Sequence, residues 1–77
     1  MARPQIDVRN PLLALPASRR IAALPEEARK ALEALLQELS VDAGDKAEKS
    51  WQKKKGPMAA YWKAVSVYAK HAKRLCR

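Results

Sequence analysis

Cysteine, histidine and glycine are nearly missing from this chain. Its 77 residues hold one cysteine, Cys76, one histidine, His71, and two glycines, Gly44 and Gly56. A single cysteine excludes an internal disulfide and fits a reducing compartment; a bridge to another molecule would be an artefact of oxidation. One His and one Cys fall short of the three or four clustered soft ligands of a zinc site. Two isolated glycines leave no Gly-rich loop to cradle a phosphate. No metal or other cofactor is implied. Long apolar runs are also missing. Nothing approaches the roughly 20 residues that span a bilayer, and Pro11 and Pro16 interrupt the chain before a signal-peptide core can form after Arg3. The expectation is a soluble, cytoplasmic protein with no membrane partner.

Catalytic groups are equally sparse. His71 has no Ser or Cys partner at a supporting spacing. The carboxylates cluster on the exposed side of one helix with basic neighbours four residues away, which makes a solvated face rather than a paired acid and base. Chemistry needs a convergent constellation, and none is visible, so the chain is read as a non-enzyme.

What the chain does have is positive charge, unevenly placed. The formal net charge is +8. Residues 1–24 carry +3, residues 25–45 carry −4 and residues 46–77 carry +9. A cationic C-terminal part with an acidic middle suits a polyanion or an acidic protein surface; a merely solvated face is the plain alternative.

The pattern reads as one small all-α domain over residues 11–77, preceded by a mobile N-terminal tail over 1–10. Asn10-Pro11 is an N-cap followed by Pro at the first helical position, but Pro16 allows only a turn. A short helix follows at about 17–23. Pro25 opens the clearest helix, with Glu26 and Glu27 in the first turn, where the dipole favours acids. Ala28, Leu32, Leu35, Leu36 and Leu39 form its apolar stripe, which Ala43 and Ala47 extend. The expected span is about 25–54 as one helix, with a bend at Gly44; a clean break there is the alternative. Gly56 suits a left-handed cap and Pro57 a new start. The last helix spans about 57–75, with Met58, Trp62, Val65, Ala69, Ala72 and Cys76 on its core face. The short link makes the two long helices an antiparallel hairpin, braced by the short N-terminal helix. Trp51, Tyr61 and Trp62 are expected to close its hydrophobic end.

Two candidate surfaces follow. Lys53, Lys54 and Lys55 sit beside the start of the last helix, where the amides of Met58 and Ala59 can meet an anion. Lys63, Ser66, Lys70, Lys73 and Arg77 continue as a basic stripe. These lysines and Arg77 are the candidate nucleic-acid contacts, with affinity that falls in salt; no base-reading motif accompanies them. Ala60, Ala64, Val67 and His71 form a second, small-residue stripe, expected either to receive the short helix or to serve as a homodimer or partner interface. The chain is thus read as a non-catalytic binding protein that contacts nucleic acid, with a small module binding an acidic host protein as the rival.

From Asn10 onward, and most clearly in "KGPMAAYWKAVSVYAKHAKRL", the chain resembles short uncharacterised proteins encoded by phages and prophages of proteobacteria. The resemblance implies a bacterial cytoplasmic setting and a role in controlling phage or host genes, or in blocking a host protein. It carries no functional residues with it. Gly44 departs from the helix former expected at that position.

Overall fold

The computed structural model describes residues 10–77. They form a 3-10 turn at Pro11–Ala14, then α1 (Ser18–Ala22), α2 (Glu26–Gln52) and α3 (Gly56–Leu75), with no strand among the described residues. The two long helices pack against each other as the expected hairpin. The expected tail lies outside the described residues except for Asn10, which is buried and belongs to the domain.

Each helix start has a local cause. Asn10 Oδ1 accepts from the Leu12 amide at 3.2 Å and Pro11 follows, which opens the 3-10 turn. Pro25 precedes α2, and Glu26 and Glu27 occupy its first turn. Gly44 neither breaks nor ends α2, which runs unbroken through it. A Cβ added at Gly44 would stand 3.6 Å from Ser66 Oγ.

The hairpin is joined along small side chains. Ser40, Ala43 and Ala47 of α2 and Ala59 and Ser66 of α3 are buried, and no large side chain is fully so. Ser66 Oγ donates to the Ser40 carbonyl at 2.8 Å, inside the seam. The seam therefore runs beside the expected stripe rather than along it. Leu32 and Leu36 are half-buried, whereas Ala28, Leu35 and Leu39 are exposed. On α3, Cys76 is buried and Trp62, Val65, Ala69 and Ala72 half-buried, but Met58 is exposed. The cause is size. Helix axes come closest where side chains are smallest, and the larger leucines are then displaced to the flank.

The open end of the hairpin is tied by Arg29. Its Nε donates to the Leu24 carbonyl at 3.0 Å and its Nη1 to the Cys76 carbonyl at 3.2 Å. One guanidinium thus holds the entry to α2 and the exit of α3, and the Cys76 carbonyl it takes is one that a helix end leaves free. The 3-10 turn and α1 lie against α3. Asn10 Nδ2 donates to the His71 carbonyl at 2.9 Å and anchors that segment. The result is flat, with extents of 41 × 40 × 14 Å and a radius of gyration of 14.5 Å. A chain of this length packed compactly would have about 11.5 Å. Among the described residues no helix is long and apolar enough to cross a membrane.

Candidate nucleic-acid interface

The chain reverses between α2 and α3 through three lysines, and the backbone sorts them. Lys53 caps α2, and Lys54 takes φ 59°, the left-handed conformation. The Lys54 amide donates to Trp51 O at 2.9 Å and the Lys55 amide to Ser50 O at 2.8 Å. This pair of bonds is the Schellman pattern that satisfies a helix end. The left-handed residue is Lys54 and not Gly56, which begins α3 without a positive φ. Of the two amides expected to be free, that of Ala59 donates to Lys55 O at 2.9 Å.

The turn divides the lysine run. Lys53 and Lys55 face one side of the hairpin, where they line a depression of about 250 Å³ with Lys46, Lys49, Ser50, Met58 and Trp62. Lys54 lines the other side with Trp51, Gln52 and Gly56. Lys46, Lys49 and Lys53 share one face of α2 because they are spaced three and four apart. Lys46 Nζ stands 5.3 Å from the centre of the Trp62 ring, a cation–π arrangement. Tyr61 meets Trp62 edge-on at 5.0 Å. Four lysines therefore line the depression that holds the half-buried Trp62, and the Lys46 ammonium stands over its ring. The two ion pairs among the described residues, Lys30–Glu26 and Arg77–Glu33, involve none of them. Among the described residues no cluster of His, Cys, Asp or Glu is arranged to hold a metal.

Of the expected gathering of aromatics at the closed end, only Tyr61 and Trp62 meet, and Trp51 stands apart. Trp51 is 66% exposed and Tyr61 58% exposed, and only Trp62 is half-buried. Trp51 and Trp62 line different depressions. Trp51 lies at the end of α2, beyond the buried Ala43–Ala47 run, where the nearby residues of α3 are the small Gly56, Ala59 and Ala60.

The expected basic stripe of α3 is also split. Ser66 is buried in the seam. Lys73 is half-buried and its Nζ donates to Gln37 Oε1 at 2.7 Å. Arg77 Nε lies 3.6 Å from Glu33 Oε2. Both turn towards α2. Lys63 and Lys70 stay exposed and line a groove of about 700 Å³ on the same side as Trp51, which they share with Gln37, Val41, Asp45 and Glu48. Of the second stripe, Val67 and His71 are half-buried and Ala60 and Ala64 exposed; the N-terminal segment is anchored at the His71 carbonyl.

Lys46 and Lys49 were not singled out from the sequence. The signal for them is the three-four spacing that links them to Lys53 on one face of a helix. Compared with known proteins, the chain matches no family model, no curated protein and no solved structure.

Proposed function

We propose that this chain is a non-catalytic binding protein that holds nucleic acid at the closed end of its hairpin. Lys46, Lys49, Lys53 and Lys55 contact phosphates, and Trp62 forms the apolar floor between them. The observation that supports this reading is the convergence of four lysines on one depression, with no carboxylate within ion-pairing distance among the described residues. Unpaired lysines at that density can neutralise phosphates and so release the cations condensed along a nucleic-acid backbone. The net charge of +8 favours the encounter. Nothing in the depression offers a planar array of donors and acceptors to read base edges, so binding is expected to be largely indifferent to sequence. The resemblance to phage-encoded proteins suggests a regulatory setting for that activity.

Fluorescence anisotropy of a labelled oligonucleotide, titrated across salt concentrations, tests the proposal. Four neutralised phosphates give a slope of log affinity against log salt of about −3 for a single strand. Replacing Lys46 and Lys49 together by Ala should halve the slope, making it shallower by about 1.5. A chain that binds with an unaltered slope uses another surface. A chain that binds no oligonucleotide but captures an acidic protein would move the role to the rival reading.

A further inference from the structure

The face of the hairpin opposite the lysine depression has a different character. Its groove is floored by Ser40, Gly44, Ala47, Ala59 and Ser66 and has rims of opposite sign. Asp45 and Glu48 stand along the α2 rim, Lys63 and Lys70 along the α3 rim. None of the four belongs to either ion pair among the described residues. At one end Trp51 projects, 66% exposed, beside Gly56.

We propose that the occupant of this groove is a second copy of the chain, packed face to face about a two-fold axis that runs along the hairpin. The charge pattern selects that partner. A two-fold axis in this direction lays α2 of each copy over α3 of the other. The acidic rim of one copy then meets the basic rim of the second, and the same match recurs on the other side. The two-fold perpendicular to the hairpin would instead lay α2 over α2 and α3 over α3, with rims of like sign together. The axis also sets Trp51 of each copy above Gly56 of the other, where no side chain obstructs a large ring. Small residues along the floor let the layers approach closely, and four helices then enclose a core that a single flat hairpin lacks. Lys46, Lys49, Lys53 and Lys55 lie on the outer faces of such an assembly, near one end, so this inference stands independently of the nucleic-acid reading.

Sedimentation velocity of the full chain, at concentrations up to the order of 100 μM, provides the test. The native chain should sediment at twice its 8.6 kDa mass. Lys63→Glu with Lys70→Glu should weaken self-association by about tenfold or more, because each reversed charge acts twice. Adding Asp45→Lys and Glu48→Lys to that variant should restore it. Trp51→Ala should also weaken it, with helical circular dichroism unchanged, since the side chain is exposed in the monomer. A native chain that stays monomeric overturns the proposal. So does a dimer that the double reversal leaves intact, or one that the compensating reversal fails to rescue. If the double reversal loses its helical signal, Asp45→Lys with Glu48→Lys alone makes the same test from the other rim.

Discussion

Ser66 Oγ donates a 2.8 Å hydrogen bond to the carbonyl of Ser40, across the seam between the two long helices and out of reach of water. Among the described residues this is the one direct polar tie at the centre of the hairpin, and it is made by a residue that periodicity assigns to a basic surface. Ser66→Ala removes the donor but leaves the Ser40 carbonyl its place in the helix ladder. The expected loss is about 1 kcal/mol. Ser66→Leu should cost more, about 2 kcal/mol, because added bulk must enter a seam built from Ala, Ser and Gly. Urea unfolding of the two variants checks both the sign and the order; equal stabilities would show that the seam is loosely packed.

Gly44→Ala should stabilise the protein. Gly44 sits in an unbroken helix, and its new Cβ would meet Ser66 Oγ at 3.6 Å, an ordinary contact. The substitution therefore recovers helix propensity without a clash, by about 1 kcal/mol. A higher midpoint in thermal unfolding is the expected result. A lower one would mean that the helices approach more closely at Gly44 than this geometry has them.

The sequence made the course of the chain legible and left the rotation of its helices obscure. Asn10-Pro11, Pro25 and Gly56-Pro57 each carry a start signal whose physics is local, and the described elements begin at or beside them. Ala43 and Ala47, in phase with the leucines, showed that α2 continues past Gly44. The seam was a different matter. Hydropathy points to Leu35 and Leu39, but close approach depends on size, and Ser40 and Ser66 score as polar. Lys54 escaped for the opposite reason. A neighbouring glycine attracts the left-handed assignment, yet the Schellman bonds fix it two residues earlier. Of the candidate site, Lys53 and Lys55 were found from their run, while Lys46 and Lys49 required the three-four spacing to be read as a binding face.

Lys54→Gly separates stability from binding at that turn. A side chain in the left-handed region costs roughly 1 kcal/mol relative to glycine, and Lys54 holds φ 59°. The variant should be more stable by about that amount. It should also leave the salt slope for nucleic acid nearly unchanged, because Lys54 faces away from the depression that holds Lys53 and Lys55. Binding lost in step with this one charge would return the interaction to the whole lysine run.

Cys76 is expected to react slowly with thiol reagents. It is buried, and its Sγ donates to the Ala72 carbonyl at 3.7 Å. Burial raises the thiol pKa above its usual value of 9.0, the Glu33 carboxylate adds to the rise, and Arg29 opposes it. The thiolate is the reactive form, so iodoacetamide labelling at neutral pH should be much slower folded than in urea. The same shift has a consequence for stability. A folded-state pKa above the unfolded one means that the stabilising share is complete below about pH 9 and is lost as pH rises through the folded value. The protein should accordingly weaken in alkali, and Cys76→Ser should lessen that dependence. Rapid labelling of the folded chain would show that its last turn opens readily.

Asn10 holds the N-terminal segment with both ends of one amide. Its Oδ1 caps the 3-10 turn at Leu12, and its Nδ2 reaches the His71 carbonyl, 61 positions away in the chain. Asn10→Ala removes both bonds and should cost about 1–2 kcal/mol, the loss of a cap together with a tertiary hydrogen bond. Asn10→Asp separates the two contributions. It keeps the acceptor for the Leu12 amide but sets a carboxylate oxygen against the His71 carbonyl. If the tie to α3 is what counts, Asp should be as damaging as Ala despite being an equally good cap. If the cap alone counts, Asp should behave like the native residue. Hydrogen exchange at Leu13 and Leu15, whose amides bond within the turn, would report the outcome directly: faster exchange in both variants is expected, with the amides at the centre of α2 unaffected.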